Sequence, residues 1–394
     1  MIISLLGFNR PGLQVEIDHF LKASSLDKDQ IVTYTKAAFS QARQKIKSEA
    51  FITIKDKQLA YFNQYAPLKS TWMGYRVVAI DGSSLILPKK QNLVKHFGTF
   101  KNSGKVENPG ARISLAYDIC NQLILDAQIG KMEVGEQSMA RKHLKSLNPN
   151  NDLLLFDRGY PSIGFALELD SEGFRFCFRL STAWKEAHDL LQITEDVDWV
   201  LKKGKRYKVG KDEKGKNIEN YLSQDFKGFR LVKIILESGE TEVLLTNLAD
   251  RNLFSLNTLK DLYHMRWSIE ECYKRIKQVS QIEFFSGYSV KAVEQDFHAR
   301  IVLLNLAAMI ETQHLQLRLD ERKCKHKLQV NRTQVNAKLK DFLYDILYRP
   351  ELGKSINKML QLLVNAYDIV RGNRRFKRNM TYRYKRKPLN YKAF

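Results

Sequence analysis

Five short apolar runs between residues 75 and 180 constrain the fold of this chain more than any other feature of its sequence. The first run, YRVVAIDGSSLILP, is rich in β-branched residues and is bounded by Gly74 and Pro88, which is typical of a strand. ARISLAYDI and LILDAQIGK follow, separated by three residues, and are predicted to form the next two strands of a meander. EQSMARKHLKSL is predicted as a helix, DLLLFDRGY as a buried strand, SIGFALELDSEG as a second helix and FRFCFRL as a fifth strand.

This order, three strands, helix, strand, helix, strand, is the order of elements in a ribonuclease H-like core. Residues 183–257 break the alternation with a basic stretch, WVLKKGKRYKVGKDEKGK, and a predicted hairpin around Ser238-Gly239. Helices are predicted within residues 9–66, from about Ser255 to Gln278, from about Val290 to Leu317, and through the C-terminal region. The predicted fold class is therefore α/β, a ribonuclease H-like catalytic core interrupted by a β-rich insertion domain, with helical N- and C-terminal regions.

The predicted domain boundaries follow from these patterns. They are an N-terminal helical DNA-binding domain at 1–70, the first part of the core at 71–182, the β-rich insertion at 183–257, the second part of the core at 258–325, and a C-terminal helical region with a basic tail at 326–394.

A strong excess of positive charge indicates a polyanionic partner. Lys and Arg number 65 against 43 Asp and Glu, so the formal net charge is +22. Basic side chains that contact phosphates release counterions, which makes nucleic acid the expected partner of such a chain. The alternatives are a basic protein without a polyanionic partner, and an RNA-binding protein, although the sequence has no aromatic strand of the RNA-recognition type.

The cysteines and the apolar runs indicate the compartment. The four Cys residues are scattered without CxxC spacing, which suggests neither a disulfide framework nor a zinc cluster. The opening run MIISLLGF is too short for a signal peptide, and no run approaches the ~20 apolar residues of a membrane span. The sequence predicts a cytoplasmic protein without a membrane partner.

Two aspartates follow apolar runs that are predicted to be buried strands. Asp81 precedes Gly82 in the first strand, and Asp157 ends the fourth. Burying a carboxylate costs several kcal/mol unless it is paired or binds a metal. Each also has a structural interpretation, Asp81 as a turn residue and Asp157 as a helix cap or a partner of Arg158. Together with Glu270 on a later helix, they predict a site for Mg²⁺ or Mn²⁺.

The helix that contains Glu270, YHMRWSIEECYKRIK, has a polar stripe that core packing does not explain. At about 100° per residue, the side chains of Tyr263, Arg266, Glu270, Lys274 and Lys277 are predicted to share one face, with Trp267 beside them. Arg and Lys suit phosphate contacts, and a Trp on a polar face suits stacking on an unpaired base. The alternative is a surface helix with ion pairs such as Glu270–Lys274.

The second N-terminal helix is basic, with Lys36, Arg43 and Lys45 among its side chains. A small DNA-binding domain has this pattern, and so does an ordinary solvated amphipathic helix. The C-terminal segment RGNRRFKRNMTYRYKRKPLNYKAF interleaves basic and aromatic residues, which is consistent either with DNA contact or with a disordered charged end.

These residues resemble a known family. The pattern Y-x2-R-x3-E-x6-K at Tyr263, Arg266, Glu270 and Lys277 is similar to the signature of DDE transposases of the bacterial insertion-sequence-four type. DGSSLILP resembles the block around that family's first Asp, DRGY resembles the second, and FSQARQKIKSEAF resembles its N-terminal helical block. The resemblance covers at least residues 30–280.

The resemblance implies a function for each matching residue. Asp81, Asp157 and Glu270 would form a catalytic triad that binds Mg²⁺ or Mn²⁺, with two ions expected. Tyr263, Arg266, Lys274 and Lys277 would hold the DNA backbone near the cut, and Trp267 would position a flipped base when the end forms a hairpin. The activity implied is cut-and-paste transposition: binding terminal inverted repeats, cleaving the element ends and joining them to target DNA. Trp184 and Trp199 are further candidates for base stacking.

The resemblance also implies a homodimer in the synaptic complex, located with the nucleoid of a bacterial cytoplasm. Apolar residues at helical spacing near the C-terminus are predicted to be available for dimerisation: Leu343, Ile346, Leu360, Leu363, Val364 and Ile369. Their alternative role is to cap the core of a monomer. Two other functions remain open, a metal-dependent nuclease or resolvase without strand transfer, and an inactive DNA-binding derivative.

Overall fold

A computed structural model describes residues 5–6, 12–24, 33–66, 69–101, 107–201, 228–236, 239–348 and 352–370. The basic tail predicted to contact DNA and most of the basic stretch after Leu201 lie outside these ranges. The chain divides into two compact units, unit 1 (Met1–Leu68 and Ile276–Phe394) and unit 2 (Lys69–Arg275). Within the described ranges, no helix combines the length and the apolar character needed to cross a membrane.

The described strands are β1 (Arg76–Ile86), β2 (Thr99–Lys101), β3 (Glu107–Asp118), β4 (Leu123–Gly130), β5 (Asp152–Phe156), β6 (Arg175–Leu180), β7 (Asp196–Trp199), β8 (Phe229–Ile235), β9 (Thr241–Thr246), β10 (Lys327–Val330) and β11 (Tyr367–Val370). The described α-helices are α1 (Leu13–Ser24), α2 (Lys36–Arg43), α3 (Glu49–Tyr65), α4 (Gln91–Phe97), α5 (Glu136–Leu144), α6 (Ile163–Ser171), α7 (Lys185–Leu190), α8 (Leu256–His264), α9 (Trp267–Lys274), α10 (Val290–Ile310), α11 (Gln316–Asp320), α12 (Arg332–Tyr348) and α13 (Leu352–Leu363), with π-helical turns at Arg275–Val279 and Glu311–Leu315.

Unit 2 is built on one mixed sheet with the strand order β2-β3-β1-β5-β6-β9-β8-β7, in which β4 pairs with β3. The five strands predicted from the apolar runs correspond to β1, β3, β4, β5 and β6. β1 pairs antiparallel with β3 and parallel with β5, and β5 pairs parallel with β6. Every residue of β5 is buried, as expected for a parallel strand that is covered on both faces. The α/β class is confirmed.

The described strands of the predicted insertion continue this sheet. β9 pairs antiparallel with β6, and β8 lies between β9 and β7. The hairpin predicted around Ser238-Gly239 corresponds to β8 and β9, and Gly239 has the positive φ (84°) that such a turn requires. Arg230 on β8 is buried and donates to Asp196 and to the carbonyl oxygens of Leu248 and Phe254, which holds the loop after β9 against the sheet.

Unit 1 is helical around an apolar core to which α1, α2, α3, α10, α12 and α13 contribute. Leu343, Leu360 and Leu363 are buried in this core, and Val364 packs against it. Their helical spacing is therefore explained by packing within one chain, and it does not support dimerisation. Ile369 is 50% exposed, but it lies on β11, which pairs with β10 in a two-stranded sheet where helix was predicted.

The second predicted N-terminal helix is two helices, α2 and α3, separated by a turn. Thr35 begins α2 by accepting a hydrogen bond from the backbone N–H of Ala38 at 3.1 Å. Gln295 of α10 stabilises this turn, because its side-chain amide donates to the carbonyl oxygens of Arg43 at 3.0 Å and Ile46 at 2.7 Å. The Arg43 carbonyl also accepts from the Ile46 N–H at 3.0 Å, so the Gln295 amide adds further bonds where α2 ends.

The helix predicted from Ser255 to Gln278 is also interrupted. Helix α8 ends at His264, Met265 and Arg266 form a turn, and α9 begins at Trp267. Tyr263 and Arg266, which were predicted to contact DNA, are only 3% and 4% exposed. Both side chains lie toward the carboxylates at the edge of the sheet.

Candidate active site at the sheet edge beside α9

Asp81 and Asp157 stand next to each other on neighbouring strands. β1 and β5 are parallel, and Ile80 pairs with Phe156, so the next residue on each strand is one of the two aspartates. Adjacent strands lie about 4.8 Å apart, and residues side by side in register point to the same face. The sheet register therefore brings together two carboxylates that are far apart in the sequence.

Asp81 lies in a setting that disfavours its charge. Burial raises the pKa of Asp81 to about 6; the Gly82 N–H at 2.8 Å and the charge of Arg266 act against this rise, while Asp157 and Glu136 add to it. A carboxyl group that is partly removed from water and crowded by other carboxylates is stabilised as an anion by a nearby cation. This site therefore favours cation binding.

Glu270 is held over the same strand by the helix that contains it. The hydroxyl of Tyr273 donates to the Asp81 carbonyl oxygen at 2.6 Å, which fixes α9 to β1. Glu270 precedes Tyr273 by three residues, so both side chains lie on the same side of α9. The structure therefore directs the third carboxylate toward the strand of Asp81.

Arg266 is the cation among these acids. Its Nη2 donates to Glu270 Oε1 at 3.0 Å. Burial by itself would lower the pKa of Arg266. The nearby Tyr263, Asp157 and Glu270 outweigh burial, so the pKa of Arg266 lies above its ordinary value. Its charge also lowers the pKa of Asp81. One guanidinium thus neutralises part of the charge of all three acids.

Metal-ligand geometry is not preformed. Among the residues that the structure describes, no group of three Asp, Glu, His or Cys side chains is arranged to hold a metal ion. Glu270 Oε1 is bonded to Arg266, so a cation held by all three carboxylates would compete with this arginine for Glu270.

Tyr263 has a different environment from the one predicted. Its hydroxyl donates to the carbonyl oxygen of Phe156 at 3.3 Å and lies 3.5 Å from Asp157 Oδ1. Because the side chain is buried at the end of β5, it supports the Asp157 segment and is not displayed to a DNA phosphate. The prediction of a backbone contact by Tyr263 is corrected accordingly.

The remaining residues of the signature helix are nearer the surface. Trp267 is 49% exposed. Lys274 is exposed and pairs with Glu271, not with Glu270 as predicted, because Glu270 pairs with Arg266. Lys277 lies within the π-helical turn and is half-buried, and burial lowers its pKa.

The Arg43 side chain is buried and hydrogen-bonded inside unit 1. It is 2% exposed and donates to Gln295 at 2.8 Å, Ser286 at 2.6 Å and Asp296 at 2.9 Å. Arg43 is therefore not available for the predicted DNA contact, because its hydrogen-bond donors are used within unit 1. Lys36 and Lys45 are exposed.

The two candidate tryptophans of residues 183–257 pack against each other. Trp199 is 5% exposed, and its ring meets that of Trp184 edge-on with centroids 6.2 Å apart. In this arrangement Trp199 has no free face for stacking on a base.

A buried Ser-His-Asp arrangement lies behind the site and was not predicted. His143 on α5 contacts Asp126 at 2.6 Å and Ser114 at 2.9 Å, and Ser114 donates to the Asp81 carbonyl oxygen at 3.2 Å. Ser114 and His143 are 2% and 0% exposed, so no substrate reaches them. We interpret the arrangement as support that holds α5 to the strand of Asp81. Nothing in the local sequence of these residues indicates it.

Comparison with known proteins gives the family. Residues 72–306 match the model of the transposase DDE domain. The chain is similar to the transposase InsG for insertion sequence element IS4 of Escherichia coli (strain K12), with 26% identity over 290 residues, which cover 68% of this chain and 60% of that protein. It is also similar to the transposase for insertion sequence element IS231C of Bacillus thuringiensis subsp. berliner, with 21% identity over 329 residues, covering 73% and 66%.

The chain thus spans 60% and 66% of the length of these two relatives. A solved piggyBac transposase synaptic complex with hairpin DNA aligns over 92% of this chain and 74% of that chain, with 10% identity and a TM-score of 0.45, a score too low to establish a shared fold. The matched family segment exceeds half of the chain and includes Asp81, Asp157 and Glu270. This chain belongs to the transposase DDE domain family, in its insertion-sequence-four type.

Proposed function

We propose that this protein is a cut-and-paste DNA transposase that binds terminal inverted repeats, cleaves the ends of its element and joins them to target DNA. The observation that carries this proposal is the convergence on β1: Asp81 and Asp157 lie side by side, and the helix of Glu270 is bonded to the strand of Asp81. Three carboxylates directed to one edge of a sheet suit phosphodiester chemistry. The family membership and the net charge of +22 support a DNA substrate.

We propose further that the sheet is a ribonuclease H-like core. Its strand order across β4, β3, β1, β5 and β6, with antiparallel pairs followed by parallel pairs, supports this. The domain boundaries predicted from the sequence remain proposals. The described strands of residues 183–257 extend the core sheet.

The donor set fits a divalent cation. Carboxylate oxygens are hard ligands of the kind Mg²⁺ and Mn²⁺ prefer. Burial raises the pKa of Asp81, and the nearby Asp157 and Glu136 add to this rise, so a cation bound here would stabilise the Asp81 carboxylate. Asp81, Asp157 and Glu270 would hold the metal, with two ions expected. The metal would supply Lewis-acid activation of the attacking oxygen and charge stabilisation of the leaving oxygen.

The side chains of this chain have separate roles in that reaction. Water attacks the scissile phosphorus, the bond from that phosphorus to the 3′-oxygen breaks, and the oxygen leaves with a proton as a 3′-hydroxyl. In the joining step this hydroxyl attacks a phosphorus of the target DNA and loses its proton, while the bond from that phosphorus to the target's 3′-oxygen breaks and this oxygen leaves as a new 3′-hydroxyl. Tyr273 and Tyr263 hold the segments of Asp81 and Asp157 in position. Arg266 balances the charge of the acids and is released from Glu270 when that carboxylate takes up its catalytic position.

The exposed lysines are proposed to bind the DNA backbone, with Lys274 the clearest candidate. It is displayed on α9 four residues after Glu270, and its partner Glu271 is itself exposed, so the pair contributes little to stability. We propose the same role for Lys36 and Lys45 in unit 1, and for Lys277.

Lys274→Ala is expected to weaken binding to element-end DNA and to reduce the slope of log K against log salt concentration by about 0.9, since one phosphate contact is lost. Binding measured across a salt series tests this. Lys142→Ala is the control, because Lys142 is exposed at the far end of α5 from Glu136. An unchanged slope for Lys274→Ala would exclude the phosphate contact.

Trp267→Ala is expected to leave the first nick intact and to reduce hairpin formation, because stacking on an unpaired base is worth about 1–3 kcal/mol and matters only after the strand opens. Single-turnover assays on intact and pre-nicked ends separate the two steps. Trp267→Phe keeps a stacking ring and should retain most of the second step. Equal loss of both steps in Trp267→Ala would identify Trp267 as a packing residue.

We also propose a homodimer that brings the two ends of the element together, as a reaction with two ends requires. The genomic context provides a direct test of the whole function. The DNA flanking the gene should contain short inverted repeats bracketed by a direct duplication, and the protein should bind those repeats in preference to scrambled sequence. Binding with no preference would argue against the proposal.

A further inference from the structure

Glu136, the first residue of α5, adds a fourth carboxylate beside the two aspartates. A Cβ atom placed on Gly82 would lie 3.3 Å from Glu136 Cγ, and one placed on Gly159 would lie 3.2 Å from Glu136 Oε2. Gly82 follows Asp81 directly, and Gly159 is two residues after Asp157. The side chain of Glu136 therefore reaches the backbone just beyond both aspartates, in space that a larger residue at either glycine would fill.

A second observation at the same place indicates a ligand. Tyr160 is 1% exposed, and its hydroxyl finds no hydrogen-bond partner among the described residues. This hydroxyl would lie 3.4 Å from a Cβ on Gly82, on the same side as Glu136. Buried hydroxyl groups are nearly always hydrogen-bonded. The unpaired donor, directed into a cluster of acids, thus indicates that an oxygen-bearing group binds there.

Arg112 holds the Glu136 carboxylate in this position. Its Nη1 donates to Glu136 Oε1 at 2.9 Å, and its Nε donates to the carbonyl oxygen of Met132 at 3.3 Å. Glu136 has the same kind of partner as Glu270, which is paired with Arg266. Two arginines thus each pair with a carboxylate of this region, and in both pairs a cation would compete with the arginine for the carboxylate.

We propose that Glu136 is a fourth carboxylate ligand of the metal site formed by Asp81, Asp157 and Glu270, and that the Tyr160 hydroxyl donates a hydrogen bond to an oxygen of the metal's hydration shell. This inference rests on the proposed function, since it concerns the same site. It assigns to Glu136 a role that the family signature does not contain.

Mn²⁺ binding to the full chain without DNA, followed by electron paramagnetic resonance of free Mn²⁺, tests the assignment without relying on catalysis. Glu136→Gln is expected to weaken Mn²⁺ binding about tenfold or more. Arg112→Gln should bind Mn²⁺ at least as tightly as the wild type, because the arginine no longer competes for the carboxylate. Glu133→Gln, an exposed acid three residues earlier, is the control and should bind normally.

Glu136→Asp keeps a carboxylate and should recover part of the affinity lost in Glu136→Gln. Thermal unfolding without metal shows whether each variant is folded. If Glu136→Gln is unstable, Glu136→Asp takes its place, and wild-type Mn²⁺ affinity in that shortened variant counts against the inference. Normal Mn²⁺ binding by a folded Glu136→Gln variant overturns this inference alone. Equal loss in Glu136→Gln and Arg112→Gln also overturns it, because Glu136 then acts only through the ion pair. If the wild type binds no Mn²⁺, the proposed function fails and this inference fails with it.

Discussion

Asp81→Asn, Asp157→Asn and Glu270→Gln are each expected to reduce Mg²⁺-dependent cleavage of element-end DNA by about 10³-fold or more. Each substitution keeps the shape of the side chain and removes one negative charge from the proposed metal site. A loss of this size corresponds to about 4 kcal/mol of transition-state stabilisation. The measurement is the single-turnover rate of strand cleavage on duplexes that contain the flanking inverted repeats.

Glu271→Gln is the matched control for Glu270→Gln. The two residues are adjacent on α9, but the Glu271 side chain is 61% exposed and faces Lys274, whereas Glu270 lies toward Arg266. Cleavage by Glu271→Gln should stay within about a few-fold of the wild type, as expected for an exposed substitution. All four variants should still bind end DNA. Wild-type cleavage by any one of the three site variants would remove that carboxylate from the proposed triad.

Arg43→Met is expected to destabilise unit 1 by about 3–5 kcal/mol, because it removes one partner of a buried ion pair and leaves the charge of Asp296 to Ser286 and the buried Arg300. The Arg43 and Asp296 side chains are 2% and 8% exposed and 2.9 Å apart. Urea unfolding, followed by a probe in the N-terminal helices, measures the loss. Lys45→Met, an exposed substitution two residues later, should change the unfolding free energy by less than about 0.5 kcal/mol.

The double variant Arg43→Met with Asp296→Asn should recover part of that stability, since the charge left without Arg43 is removed. This result distinguishes the structural role of Arg43 from the DNA contact predicted from sequence. If Arg43→Met folds with wild-type stability and instead weakens DNA binding with a reduced salt slope, the structural account of Arg43 is wrong.

The strands of the site were predictable because their signals are local. The LLLF of β5 is a continuous apolar run, as a parallel strand covered on both faces requires, and an Asp directly after it is conspicuous. The family signature identified Glu270 for the same reason, by spacing within one short segment. The pairing register of the strands could not be predicted from such runs, and it is this register that places Asp81 beside Asp157.

The environments that the sequence did not predict depend on partners distant in sequence. Arg43 reads as a surface residue of a basic helix, and its partner Asp296 is 253 residues away. Tyr263 reads as part of a polar stripe, and it is buried against Phe156 and Asp157, which are 107 and 106 residues away. Glu136 reads as an ordinary acid in the first turn of a helix, where it is favoured by the helix dipole.

The most direct test of the central claim is strand transfer from a precut end. A duplex that ends at the 3′-hydroxyl of the inverted repeat is mixed with supercoiled target DNA, Mg²⁺ and either the wild type or Glu270→Gln. The account predicts that wild-type protein joins the labelled end covalently to the target and that Glu270→Gln, which still binds the end, yields no joined product. Cleavage of intact ends by the wild type without any joining would contradict the assignment as a transposase and favour a nuclease built on the same carboxylates.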